Sequence, residues 1–110
     1  MSIRPDELEG LRPFSSEAQV LTEGAGEFVL LPNLKVTVGS VARVLDGLLC
    51  PRQMHGYPTR LYISAAIREK GSNWSSYMFF GRVWHTPSWR GVDATLSLPQ
   101  MLRAHLEIYR

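Results

Sequence analysis

The chain has 110 residues, enough for one hydrophobic core and too few for two. Hydrophobic residues make up 45% and charged residues 20%, an ordinary globular balance, and no apolar run approaches the roughly 18 residues that span a bilayer, which excludes a transmembrane helix. The net charge is only +2, with basic residues spread along the chain, and the single cysteine, Cys50, excludes an intramolecular disulfide and a cysteine-rich zinc site.

The segment Met1 to Glu7 lacks the apolar stretch of a secretory signal, so the sequence predicts a cytoplasmic protein without a membrane association. Arg outnumbers Lys ten to two, which suits recognition of carboxylates or phosphates by planar forks, although a GC-rich genome produces the same bias. Residues 1–16 are expected to form a short, loosely held turn or helix, with Pro5 near its start, Asp6 and Glu7 in its first turn and Gly10 as its stop. One domain then fills residues 17–110.

Ala18, Val20 and Leu21, the break Gly24-Ala25-Gly26 and the run Phe28 to Leu31 read as an antiparallel hairpin closed by Pro32-Asn33, with Lys35 to Val38 as a further short strand. Val41 to Cys50 fits either a helical face or a period of two, and Gly47 with the neighbouring hairpin favours a strand. Residues 51–58, with two Pro and a Gly, predict a loop, and Leu61 to Ile67 alternates as the next strand. After a turn at Glu69 to Asn73, Trp74 to Trp84 reads as one last strand. It places Tyr77, Phe79 and Val83 on one face and Met78, Phe80, Arg82 and Trp84 on the other, both heavy enough to be covered. Ser97-Leu98-Pro99-Gln100 is a capping box opening a helix with Leu98, Met101, Leu102, His105, Leu106 and Tyr109 along one stripe. The predicted class is α+β: an antiparallel meander of about four strands, an irregular Trp/His loop and a C-terminal helix packed on the sheet.

Functional side chains are densest in the stretch from Gly81 to Asp93. His85 is the candidate catalytic residue, because imidazole can act as acid or base near neutrality. Tyr57, Arg82, Trp84, Trp89, Arg90 and Asp93 are the candidate binding residues, since Trp, Tyr and Arg concentrate binding energy at interfaces. The competing structural reading has the indoles covering a sheet edge while His85 satisfies a backbone carbonyl. A Ser88-His85-Asp93 triad is disfavoured by its crowding into one loop and by the lack of a nucleophile elbow. His55, His85 and His105 lack the paired spacing of metal sites, and Cys50, at the end of an apolar strand, reads as core filler. No cofactor or metal is called for. Trp74, Trp84 and Trp89 beside Arg82 and Arg90 leave base stacking, and so nucleic-acid binding, as an alternative with nothing else in its favour.

Leu48-Leu49-Cys50-Pro51 at the end of a meander strand, Gly56-Tyr57-Pro58 leading into the next, and Trp84-His85-Thr86-Pro87 ahead of a Ser-Leu-Pro-capped helix occur in the order found in the ubiquitin-conjugating (UBC) fold. The chain resembles divergent bacterial members of that family over roughly residues 17 to 110, and Phe80 to Trp84 and Trp89 to Asp93 are similar to segments of members that lack the cysteine. Tyr57-Pro58 matches the family's Tyr-Pro, and His85-Thr86-Pro87 is similar to its His-Pro element with Thr86 inserted and no Asn. No cysteine follows His85, Cys50 precedes Tyr57-Pro58, and the family's long first helix is reduced to at most a turn. The resemblance therefore implies a pseudoenzyme that binds a ubiquitin-like or activating-enzyme-like protein through the Trp/His loop. The alternative is a small enzyme with His85 as general acid or base.

Overall fold

The structure, a computed structural model, describes residues 3–24, 26–67, 69, 73–88 and 91–110. Pro5 and the acidic pair Asp6-Glu7 open the five-residue helix α1 (Pro5–Glu9), which stops at Gly10. The segment around it is fastened more firmly than expected. Leu11 is fully buried, Ser15 Oγ donates to the Pro32 carbonyl at 2.6 Å, and the Glu7 carboxylate accepts the Leu98 N–H at 2.9 Å.

Among the described residues six antiparallel strands follow, where about four were expected: β1 (Gln19–Glu23), β2 (Gly26–Val38), β3 (Val41–Cys50), β4 (Arg60–Ile63), β5 (Trp74–Phe79) and β6 (Arg82–Pro87). They form one sheet in the order β1-β2-β3-β4-β6-β5. The strand reading of Val41 to Cys50 holds, and Gly47 explains the choice: a Cβ there would lie 2.7 Å from Leu34 Cδ2 across the β2–β3 ladder. Pro32-Asn33 does not end its strand. A register shift between Leu31 and Leu34, with Asn33 at φ 53°, absorbs both residues as an irregularity, and Lys35 to Val38 belongs to the same long β2. The strand expected over Leu61 to Ile67 ends at Ile63.

The largest correction concerns Trp74 to Trp84. The chain reverses at Phe80-Gly81, at φ 53° and 74°, a two-residue turn with positive φ at both positions, so the expected single strand is a hairpin and the expected Trp/His loop is largely strand β6. Pairing Tyr77 with Trp84, and Met78 with Val83, puts Tyr77 and Trp84 on one face, not on opposite ones. Nor is the hairpin covered on both sides, because Met78 and Val83 are 68% and 48% exposed.

The helix α2 (Leu98–Glu107) has the expected capping box, with Ser97 Oγ accepting from the Gln100 N–H. Its stripe of Leu98, Met101, Leu102 and His105 is buried, and Tyr109 just beyond completes it. Strand alternation then divides the interior into two cores. Leu49, Leu61 and Ile63 face α2 together with Val29, Leu31 and Leu34 of β2, whereas Leu48, Cys50 and Tyr62 point the other way and pack with Phe28 and Trp84. Across this second core the sheet curls. The Phe80 N–H donates to the Glu23 carboxylate at 2.9 Å, and the rings of Phe28 and Phe79 stand 5.0 Å apart. Among the described residues, no helix is long and apolar enough to cross a membrane.

Candidate functional site

The same alternation scatters the residues that lie together in sequence. Trp84 is buried in the second core, where its indole N–H donates to the Phe79 carbonyl at 3.1 Å. Arg82 lies on that face too. Its guanidinium sits 4.4 Å from the Trp84 ring centroid and reaches Asp46 at 3.2 Å. His85 points to the opposite face. It pairs in register with Ile63 and Ser76, and its Nδ1 is 3.2 Å from Ser76 Oγ. Asp93 is in the segment before α2, where its carboxylate accepts the Thr95 N–H at 2.9 Å; that bond, then the one from the Thr95 hydroxyl, lowers its pKa. Trp89 and Arg90 lie outside the described residues. Of the predicted set, the structure thus joins Arg82 to Trp84 and leaves His85 and Asp93 elsewhere.

Among the described residues no nucleophilic line forms around His85: its bonded partner is a serine, while Asp93 is engaged with Thr95 and the Ser88 N–H donates to the Asn73 carbonyl. The three histidines occupy separate environments, and among the described residues no group of three His, Cys, Asp or Glu side chains comes together. Cys50 is fully buried, and burial pushes its thiol up.

What does assemble is a cluster of rings and guanidinium groups over the second core. The loop after β3 turns tightly between Met54 and Tyr57, which exchange N–H to carbonyl bonds of 2.9 and 3.0 Å, with His55 and Gly56 at φ 51° and 84°. That turn lays the exposed His55 flat on Tyr77 at 3.9 Å between centroids, and its Nδ1 comes within 3.1 Å of the Tyr62 hydroxyl. Desolvation first, and the Arg60 charge second, lower the His55 pKa, and burial raises that of Tyr62. Arg60 forms the centre. It is 3% exposed, its guanidinium is 4.0 Å from the Tyr57 ring and 5.6 Å from that of Tyr77, and its Nε donates to Thr86 Oγ1 at 3.2 Å. Thr86 in turn donates to the Leu61 carbonyl at 2.9 Å, so the guanidinium has a fixed orientation. No carboxylate pairs with it among the described residues.

Of the predicted residues, only Tyr57 belongs to this cluster's outer shell, and Trp84 underlies it. Arg60, Tyr62, Tyr77 and His55 were not among the site residues expected. The usable signal was the alternation Arg60, Tyr62 on a strand directly after Tyr57, which places two polar-tipped side chains on one face. Tyr77 could join them only once the β5–β6 reversal was known.

Comparison with known proteins yields no relative: no family model, no curated protein and no solved structure matches the chain.

Proposed function

We propose that the domain acts by binding a protein partner on the Tyr/Arg face of its sheet, in the manner of a UBC-like pseudoenzyme, with a ubiquitin-like or activating-enzyme-like protein as the partner class. The observation that carries this reading is the cluster of His55, Tyr57, Arg60 and Tyr77, in which rings and guanidinium are stacked and oriented before any partner arrives. Tyr has few rotatable bonds and Arg60 is already held by Thr86 and Tyr57, so both lose little freedom on docking, and Tyr and Arg supply much of the binding energy at interfaces. Backbone strain supports it too. Of the three described non-glycine residues at positive φ, one, His55, belongs to this cluster, and strain of about 1–3 kcal/mol per residue tends to persist at functional sites.

The enzyme reading draws less support, since His85 pairs with Ser76 on the other face and the one thiol is sealed. The test is a titration of the ¹⁵N-labelled chain with a purified ubiquitin-fold protein. Saturable amide shifts over residues 54–60 and 75–80, lost in Tyr77→Ser with the fold intact, are the expected result. Shifts confined to Ser76, Met78, Val83 and His85, or none at millimolar partner, would refute the assignment of this face.

A further inference from the structure

We propose that the cavity between the N-terminal segment, the start of β2 and the start of α2 binds a monocarboxylate carried on an apolar body, with Arg52 receiving the carboxylate. The cavity has a volume of about 890 Å³, within the roughly 300–1,000 Å³ of small-molecule sites. Its lining combines Arg52 and Glu27 with the apolar side chains of Ile3, Leu96, Leu98 and Met101.

Arg52 carries the argument. A guanidinium has five N–H donors in a planar fork, yet this one forms no ion pair with any described residue, and its Nε is buried without a hydrogen-bond partner. Dry, unpaired donors on a charged group are rare because they are costly, so this one calls for an explanation. The group is nonetheless held in place. It lies 5.2 Å from the Phe28 ring centroid and against the bare Cα of Gly26, where a Cβ would occupy the guanidinium's own position. With Nε buried, it is the fork's terminal amino groups, held at the cavity wall and without an ion-pair partner among the described residues, that complement a planar two-oxygen anion.

The other charged groups nearby disfavour a ligand with more than one negative charge. Arg4 is already paired with Asp6 and Glu7 at 3.5 Å each. Glu27 accepts the Ile3 N–H at 3.1 Å and Glu7 the Leu98 N–H at 2.9 Å, so both carboxylates are held where they would repel a phosphate dianion. The apolar lining then takes the remainder of the ligand out of water. A free fatty-acid-like carboxylate and the C-terminal apolar residue of a peptide share this chemistry. The site is separate from the Tyr/Arg face, and each proposal stands without the other.

The test is calorimetric titration of the full chain with sodium octanoate. Saturable binding is expected, at least about tenfold tighter than acetate, with none for octylammonium, which presents the same body with the opposite charge. Arg52→Lys keeps the charge without the fork and should weaken octanoate at least about tenfold, as should Gly26→Ala, which displaces the guanidinium without removing it. N-acetyl-Ala-Leu as the free acid and as the amide separates the two sources. Binding of the acid alone, tighter than octanoate, assigns the site to a peptide terminus; the reverse order assigns it to a free acid. Failure of both octanoate and the peptide acid to bind the wild type, equal binding of octylammonium, or unchanged octanoate affinity in both folded variants would overturn the proposal. Should either variant unfold, the wild type's discrimination among octanoate, acetate and octylammonium decides alone.

Discussion

His105 sits in the core-facing stripe of α2 with 4% of its surface exposed, and its Nε2 is 2.8 Å from the Thr59 hydroxyl. That hydroxyl donates its one proton to the Val92 carbonyl at 3.0 Å, so Nε2 must be the donor and the buried ring is the neutral Nε2–H tautomer. Burial, and then the Arg60 charge, lower its pKa from 6.5 to about 4. The unfolded chain takes up this proton near its ordinary pKa and the folded chain only near the lowered one. Between those values the unfolded state holds more protons, so stability is complete above the unfolded pKa and falls as pH drops toward the folded one. At about pH 4.5 the loss from this single residue is about 2.5 kcal/mol. Glutamine at position 105 keeps a polar side chain that does not titrate. His105→Gln should be about 1–2 kcal/mol less stable than wild type at about pH 7.5, through lost packing and a poorer hydrogen bond. At about pH 4.5 the order should reverse, with the variant about 1 kcal/mol more stable. Urea melts of both proteins at both pH values measure this, and the comparison cancels carboxylates common to the two chains. A difference between wild type and variant that stays constant to within about 0.5 kcal/mol would refute the neutral, desolvated imidazole.

Gly81 offers a test of backbone strain alone, because no atom lies within 4 Å of a Cβ placed there while its φ is 74°. Gly81→Ala should therefore cost about 1–2 kcal/mol in a thermal or urea melt, and no measurable cost would mean that the turn is not formed as described. Cys50, fully buried with a raised pKa, should react with Ellman's reagent only through opening of the fold. Its labelling rate should rise with urea in step with unfolding, and rapid labelling in native buffer would contradict its burial.

Local chemistry was the readable part of this sequence. The Ser97 to Gln100 capping box and the stripe from Leu98 to Tyr109 place α2 correctly, because a side-chain cap and a helical period are properties of adjacent residues. The α+β class follows from the same kind of signal. The β5–β6 reversal was hidden because a bulky aromatic residue is a poor choice for positive φ. Phe80 is kept there by a contact far away in sequence, its edge-on packing against Phe28 at 5.6 Å. Missing that one turn misplaced Arg82, Val83 and Trp84 by face. Trp84 and His85, neighbours in a motif, belong to opposite surfaces of the sheet, and residues contiguous in sequence were read as contiguous in space. Arg60 escaped notice for the complementary reason: its surroundings are assembled from the 54–57 turn, β4, β5 and β6, which no window of sequence contains.

The curl that brings Phe80 to Glu23 joins residues 57 positions apart, and this separation sets the order in which the molecule can assemble. The β1–β2 and β5–β6 hairpins need only short loops to close, whereas the contact between Phe28 and Phe79 is expected to form late, once the intervening chain is ordered, since closure entropy grows with loop length. Contacts made after the transition state govern unfolding and hardly affect folding. In stopped-flow chevrons, Phe79→Leu should accordingly raise the unfolding rate several-fold, on the order of tenfold for each 1.4 kcal/mol lost, with a folding rate within about twofold of wild type. The curl then acts as a kinetic latch: it sets how long the folded molecule persists more than how fast it forms.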